Sequence, residues 1–417
     1  MNYQETLTYL YNSAPLFQHV GGDAYKEGLE NTLTLDAHFG HPHRRFRSIH
    51  VAGTNGKGSC SHTLAAILQK AGYRVGLYTS PHLVDFRERI RVNGIPIPEE
   101  RVIRFVEEER AFFEPLHPSF FELTTALAFC HFAEQQVDVA VIEVGLGGRL
   151  DCTNIIHPDL CLITNISIDH VQFLGHTPAR IAQEKAGIIK PGIPVVIGES
   201  TEETRPVFIR KAEEVHAPIY FAEENEEECY PNLEFELKGS YQQKNKRTLL
   251  TVLPLLEQAG YHLEERDIRE GFAHVCELTG LQGRWQKLQE GPTLVCDTGH
   301  NVGGITYVAE QLRQQPCRQL HIVVGMVNDK DIRGVLALLP KKAVYYFTRA
   351  SVKRALPEEE VKRLAGEAGL QGECYPDVPS AVKAAQEKSL PEDFIFVGGS
   401  SFIVADLLAN RDALNLH

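Results

Sequence analysis

The sequence predicts a doubly wound, mostly parallel α/β sheet carrying a phosphate-binding loop (P-loop), followed by a smaller C-terminal α/β domain. Three observations predict it. Residues 48–59, SIHVAGTNGKGS, run from an apolar strand through glycines into the helical-looking SHTLAAILQKAGY. Strand-like apolar runs alternate with helical periodicity from residue 47 to about 198. After the glycine-containing stretch 278–286, LTGLQGRWQ, with the only tryptophan, the alternation restarts. A chain of 417 residues exceeds what one hydrophobic core usually supports. The domains are therefore placed at 1–280 and 281–417.

The elements follow in order. Runs 48–52, 73–78, 137–144, 160–165 and 193–197 are short, apolar and rich in β-branched residues, as strands buried on both faces must be. The segments 62–71, 99–115 and 122–135 between them have helical spacing. The acidic run 223–228, EENEEE, reads as a solvated loop. One helical segment follows Tyr241 and ends near residue 259, and another runs to about 275. In the second domain, 293–297, 321–325, 343–348 and 394–398 read as strands, with helices such as 304–314 and 357–368 between them.

Composition excludes several classes. Hydrophobic and charged fractions of 43% and 23% are those of a globular protein. A net charge of −13 argues against a nucleic-acid partner, because phosphate backbones attract basic faces. The nine cysteines, at 60, 130, 152, 161, 229, 276, 296, 317 and 374, are odd in number and form no C-x-x-C pair, which fits thiols in a reducing cytosol. The N-terminus lacks a basic and apolar leader pattern, and no run of about 18 apolar residues occurs. A cytoplasmic protein with no membrane partner is expected.

The chemistry starts at the glycine loop. A strand turning through glycines into a helix aims backbone N–H groups and the positive end of a helix dipole at one spot, which suits the phosphates of ATP. The usual G-x-x-x-x-G-K-[ST] spacing does not fit, since Gly58 separates Lys57 from Ser59 and the residue five before Gly56 is Val51. An ordinary glycine-rich strand-to-helix turn is the alternative. Four polar constellations lie at or after predicted strand ends: 78–82 running into DFRERIRVN, VIEVGLGGRL at 141–150, SIDH at 167–170 and EKAGIIKPG at 184–192. A hydroxyl, a carboxylate and an imidazole from Ser80, Glu143 and His170 could complete a Mg2+ shell. Mg2+ prefers oxygen, so His170 is the weakest member. Taken singly, such residues are more often caps or satisfied polar groups; their joint occurrence behind a phosphate loop favours a site.

The motifs GTNGKGS, TSPHL with RERIRVNG, FELTTALAF, IEVGLGGRLDCTN, SIDHVQFLG, IAQEKAGIIKPG, GSYQQKN, GRWQ and DTGHN occur in the order seen in the folylpolyglutamate synthase/dihydrofolate synthase family, relatives of the Mur ligases. The chain resembles that family from about residue 31 to 401. The resemblance implies that Lys57 contacts the β/γ-phosphates of ATP while Gly53, Thr54, Asn55, Gly56, Gly58 and Ser59 wrap them. It implies Ser80, Glu143 and His170 as Mg2+ ligands, and Lys185 as a lysine carbamylated into a further metal ligand. An unmodified Lys185 paired with phosphate or Glu184 is the other reading. Gln242, Asn245, Arg284, Asp297 and His300 would close over the nucleotide, and GMVNDKD and GGSSF resemble the glutamate-side and closing loops. The family more often has DGAHNP where this chain has Asp297-Thr298-Gly299-His300-Asn301-Val302.

The implied activity is glutamate ligation to dihydropteroate or to the γ-carboxylate of a folate, by a monomer. In this chemistry the acceptor carboxylate is phosphorylated and the glutamate amine displaces phosphate. A base is needed for the amine, and His300 and Asp297 are both open for that role. Another Mur-type amino-acid ligase, a monofunctional folylpolyglutamate synthase and a P-loop switch without ligase chemistry are the rivals.

Overall fold

The computed structural model describes residues 1–13, 28–225, 230–328 and 330–416. Two compact units form: Met1–Glu236 with Gln242–Leu281, and Leu237–Tyr241 with Gln282–His417.

The first unit is built on eight strands: β1 (Arg47–Ala52), β2 (Val75–Tyr78), β3 (Ile90–Val92), β4 (Ile95–Pro96), β5 (Val139–Glu143), β6 (Leu160–Ile163), β7 (Val195–Ile197) and β8 (Ile219–Phe221). Their order is β4-β3-β2-β5-β1-β6-β7-β8, parallel except for the β2-β3-β4 edge. The central strands are buried residue after residue, which is why their sequences are continuous apolar runs. Helices cover both faces. On one, Phe105, Val106, Phe120, Leu127 and Phe132 pack over Tyr78, Ala140 and Ile142. On the other, Ala182, Ala186 and Phe208 pack over Ala52, Ile163 and Val195. Each such aliphatic or aromatic side chain taken fully out of water is worth about 1.5–3 kcal/mol.

The order of the strands positions the site. From β1 the chain crosses to β2 on one side, whereas from the adjacent β5 it crosses to β6 on the other. Connections leaving neighbouring parallel strands in opposite directions open a crevice at their carboxyl ends, where doubly wound folds bind ligands.

The second unit has six strands: β9 (Gln286–Gln289), β10 (Thr293–Cys296), β11 (Leu320–Val324), β12 (Val344–Phe347), β13 (Gly372–Cys374) and β14 (Phe394–Gly398). The order is β13-β12-β11-β14-β10-β9, with only β9 antiparallel. Trp285 stacks on Phe394 with ring centroids 6.2 Å apart, so the lone tryptophan belongs to this unit's core.

Several expected boundaries are corrected. The run 160–165 stops being a strand at Ile163, because Thr164 and Asn165 turn to hold the glycine loop. The expected strand 73–78 begins only at Val75, and 137–144 spans Val139–Glu143. Strands β3, β4, β8, β9 and β13, of two to four residues each, were not expected; all are too short for a periodic signal. Of the acidic run, Glu223 accepts hydrogen bonds from Ser200 and Glu224 pairs with Arg205, while 226–228 lie outside the described residues. The eight described cysteines are unpaired, and Cys229 lies outside the described residues. Among the described residues, no helix is long and apolar enough to cross a membrane.

Candidate functional site

β1 ends at Ala52 and a helix begins at Lys57, so four residues make the turn. Gly53 and Gly56 adopt φ of 142° and 86°; a Cβ would lie 1.9 Å from Thr164 Oγ1 at the first and 2.5 Å from Asn245 Oδ1 at the second. Only glycine meets both demands. The loop is held from outside. The Thr54 and Asn55 amides donate to Asn165 O and Oδ1, at 2.9 and 3.0 Å, and Thr164 Oγ1 donates to Asn55 O at 2.6 Å. Ser167 N donates to Thr54 Oγ1 at 3.0 Å. No side chain caps the helix at Gly56, which leaves its first-turn amides and dipole directed at the loop. Lys57 folds back, donating from Nζ to Gly53 O and Thr54 O at 3.1 Å each. Gly58 and Ser59 lie in the first helical turn. Gln242 Nε2 donates to Ser59 Oγ at 3.0 Å and Asn245 Nδ2 to Gln242 Oε1 at 2.8 Å, so these two expected residues do meet the loop.

Beside the loop, Glu143 pairs in register with Val51, at the end of the neighbouring strand. Glu143 is 3% exposed, and its carboxylate accepts from the Ser80 amide at 3.2 Å, which brings Ser80 to it from the end of β2. His170 sits in a left-handed turn at φ 50°, its Nε2 3.9 Å from Asp169. Lys185 is buried in the helix Pro178–Ala186, and that burial, with the Lys57 ammonium nearby, lowers its amine to about 7. The turn after Glu143 reaches the same helix: Arg149 N donates to Glu184 O at 2.8 Å, and Arg149 pairs with Glu184. No group of three or more His, Cys, Asp or Glu side chains among the described residues is placed as a metal cage. A buried carboxylate with a serine beside it fits Mg2+, which takes one or two protein carboxylates and fills its shell with phosphate oxygens and water.

In the second unit, Asp297 follows β10 and is 2% exposed. It accepts from Tyr241 Oη at 2.6 Å and from the Trp285 and Gly299 amides at 2.8 Å each. Burial pushes its carboxyl above the ordinary range against the pull of these donors. His300 Nδ1 donates to Thr298 O at 3.0 Å. Arg284 donates to Gly283 O at 3.2 Å and to the Thr298 hydroxyl. Thr298, which stands where the family more often has glycine, thus ties this loop to Arg284. Asn301 caps the helix Val302–Arg313 by accepting from Gly304 N at 2.8 Å. In the GMVNDKD segment, Asp331 caps the helix Ile332–Leu338, and Asp329 lies outside the described residues.

Sequence reasoning missed Tyr241, Thr164 and Asn165. All three lie inside or beside quoted motifs, but which polar atom braces which loop is decided by contacts between distant segments.

Residues 51–255 match the Mur ligase middle domain and residues 283–401 the Mur ligase glutamate ligase domain. A Mur-type ligase is the class these units define. The chain is 33% identical over 417 aligned residues to the dihydrofolate synthase/folylpolyglutamate synthase of Bacillus subtilis (strain 168), covering 92% of this chain and 94% of that one. It matches an Escherichia coli FolC in complex with DHPP and ADP at a TM-score of 0.88 and 32% identity, covering 100% of this chain and 99% of that one. It matches the Yersinia pestis bifunctional folylpolyglutamate synthase/dihydrofolate synthase complexed with AMPPNP and Mn ion at 0.85 and 30%, covering 100% and 98%. The chain belongs to the dihydrofolate synthase/folylpolyglutamate synthase family.

Proposed function

We propose that this chain is an ATP-dependent ligase that adds L-glutamate both to dihydropteroate and to the γ-carboxylate of folate (poly)glutamates. One observation carries the reading: a glycine loop and its lysine stand beside a buried carboxylate, Glu143, paired in register with Val51 on the adjacent strand. The ADP, AMPPNP, Mn ion and DHPP in the two related structures support it.

ATP and Mg2+ supply, when bound, a phosphoryl group that activates the acceptor carboxylate and a cation that spreads the transferring charge. Lys57 would exchange its two loop carbonyls for the β/γ-phosphates, and Gly53, Thr54, Asn55, Gly56, Gly58 and Ser59 would line the phosphate cradle. Gln242 and Asn245 fix that cradle from behind. Ser80, Glu143 and His170 would hold the metal, and Lys185, if carbamylated, would offer it a further oxygen. Arg284 and Asp297 are the further nucleotide-binding residues of this reading. Asp297 accepts three hydrogen bonds and serves as an organiser, and His300 is the residue this reading assigns as base for the attacking amine.

Glu143→Ala and His170→Ala are expected to raise the Mg2+ concentration for half-maximal activity, Glu143 more so because it brings a formal charge and His170 an uncharged nitrogen. Unchanged titrations in both variants would place the metal elsewhere.

The reading is tested by ADP release from one preparation with dihydropteroate, tetrahydrofolate or a muramyl nucleotide, each with and without glutamate. Glutamate-dependent release is expected with the first two. Tetrahydrofolate alone would leave a folylpolyglutamate synthase, the muramyl nucleotide alone a different Mur ligase, and glutamate-independent turnover a nucleotide switch. A cytoplasmic monomer goes with this reading; the unpaired thiols support the compartment, and light scattering reads the mass.

A further inference from the structure

The strand that feeds the phosphate loop carries an imidazole where its neighbours are apolar. His50 lies in register with Ile142 of β5 and Cys161 of β6 and is 0% exposed. Its Nε2 is 2.8 Å from Thr153 Oγ1, and the Thr153 hydroxyl donates to Asp151 Oδ1. Asp151 Oδ1 also accepts from Thr153 N at 3.0 Å, while Oδ2 takes the amides of Gly145 and Leu146 at 3.0 and 2.9 Å. Burial pushes the Asp151 carboxyl up, yet every contact it makes is with a donor, which is the pattern of a carboxylate.

The proton directions follow. The Thr153 hydroxyl has one hydrogen and gives it to Asp151, so His50 must donate from Nε2–H and its Nδ1 is left unprotonated. That Nδ1 is buried with no hydrogen-bond partner. An orphaned polar atom at the centre of a sheet costs stability that a leucine would not. Local choices that work against stability concentrate where function needs them.

We infer that His50 is a positioning residue: through Thr153 and Asp151 it braces the Gly145–Leu146 turn, which follows Glu143, against the strand leading into the phosphate loop. This rests on the roles proposed above for Glu143 and Lys57. The backbone bond from Val144 N to Val51 O, 2.9 Å, is where the strand ladder ends. Beyond it the loop and the turn separate, and the side-chain relay ties them a second time. Transfer chemistry is sensitive to displacements well under an ångström between such elements.

The test uses the full-length protein with His50→Leu, Thr153→Val, Thr153→Ser and the double variant His50→Leu/Thr153→Val. Amide exchange at Gly145 and Leu146, kcat, the KM values for ATP and acceptor, and the melting temperature are read. His50→Leu and Thr153→Val are expected to speed that exchange about tenfold and to lower kcat about tenfold, with KM within about twofold; His50→Leu should keep the melting temperature, whereas Thr153→Val, which orphans His50 Nε2–H, should lower it. Thr153→Ser keeps the hydroxyl and should behave as wild type. The double variant should lose no more than either single one, because each breaks the same relay. Exchange or kcat left at the wild-type value in both single variants, or a kcat loss that follows a melting loss and persists in Thr153→Ser, overturns the inference. Should His50→Leu fail to fold, the two Thr153 variants decide. A wild type without glutamate-dependent turnover would instead overturn the proposed function, and the exchange measurement would still decide the brace.

Discussion

Lys57→Ala is expected to lower kcat/KM for ATP-dependent ligation at least about 100-fold, corresponding to ~3 kcal/mol of transition-state stabilisation. The geometry explains the size. Lys57 opens the helix at the loop, and its Nζ donates to two loop carbonyls, Gly53 O and Thr54 O, positioned where a phosphate-bound ammonium would have to start. Alanine leaves the glycine turn and its braces from Thr164, Asn165 and Ser167 in place. The fold should therefore survive, with a melting temperature close to wild type. What is lost is the cation that neutralises charge as the γ-phosphoryl group transfers. Initial rates of ADP formation under saturating acceptor and glutamate check this. Activity above about a tenth of wild type would contradict the phosphate-loop assignment, because a charge at the transferring group is worth more than one tenfold factor.

The second large effect is expected at Lys185. Lys185→Ala should be nearly inactive, and added formate or acetate should restore part of the rate by occupying the vacated carboxylate position. The chemistry behind this is a carbamate: a neutral amine attacks CO2, the N–C bond forms, and one proton is released. That needs an amine that is substantially unprotonated near neutral pH. Burial, reinforced by Lys57, brings Lys185 down to about 7, so both forms are populated there. In the unmodified state the protonated form is the one that burial penalises. A carbamate replaces that buried cation with an anion beside the Lys57 ammonium, which is the favourable sign. Intact mass of active enzyme prepared under CO2 checks the modification directly, and a bare amine in fully active enzyme would remove the proposal.

The two effects differ in how legible their residues are. Lys57 and its glycines form a contiguous string whose chemistry follows from backbone rules: strand, left-handed turn, helix start. The buried central strands were equally legible, because a strand covered on both faces must be apolar throughout. Glu143 at the end of its run, Ser80 after the next strand and the SIDH and EKAGIIKPG segments could be read as polar residues at strand ends. Their family order gives them a common purpose.

Contacts between distant segments were not legible. That Gln242 holds Ser59, that Asn165 receives two amides of the loop, that Asp297 gathers Tyr241 and Trp285, and that His50 reaches Asp151 through Thr153 depend on residues as much as 183 positions apart meeting at hydrogen-bond distance. Short strands such as β4 and β13 were invisible for a related reason. Two or three residues carry no periodicity, and such strands exist only because a neighbouring edge offers them hydrogen bonds. By itself, then, the sequence determined the class of fold, the phosphate loop and the family, all of which are written in local pattern and motif order. The tertiary structure alone decided which side chains brace the loop, that Glu143 stands in register beside it and that Lys185 loses its solvent. Register and desolvation are properties of packed elements, and no single segment contains them.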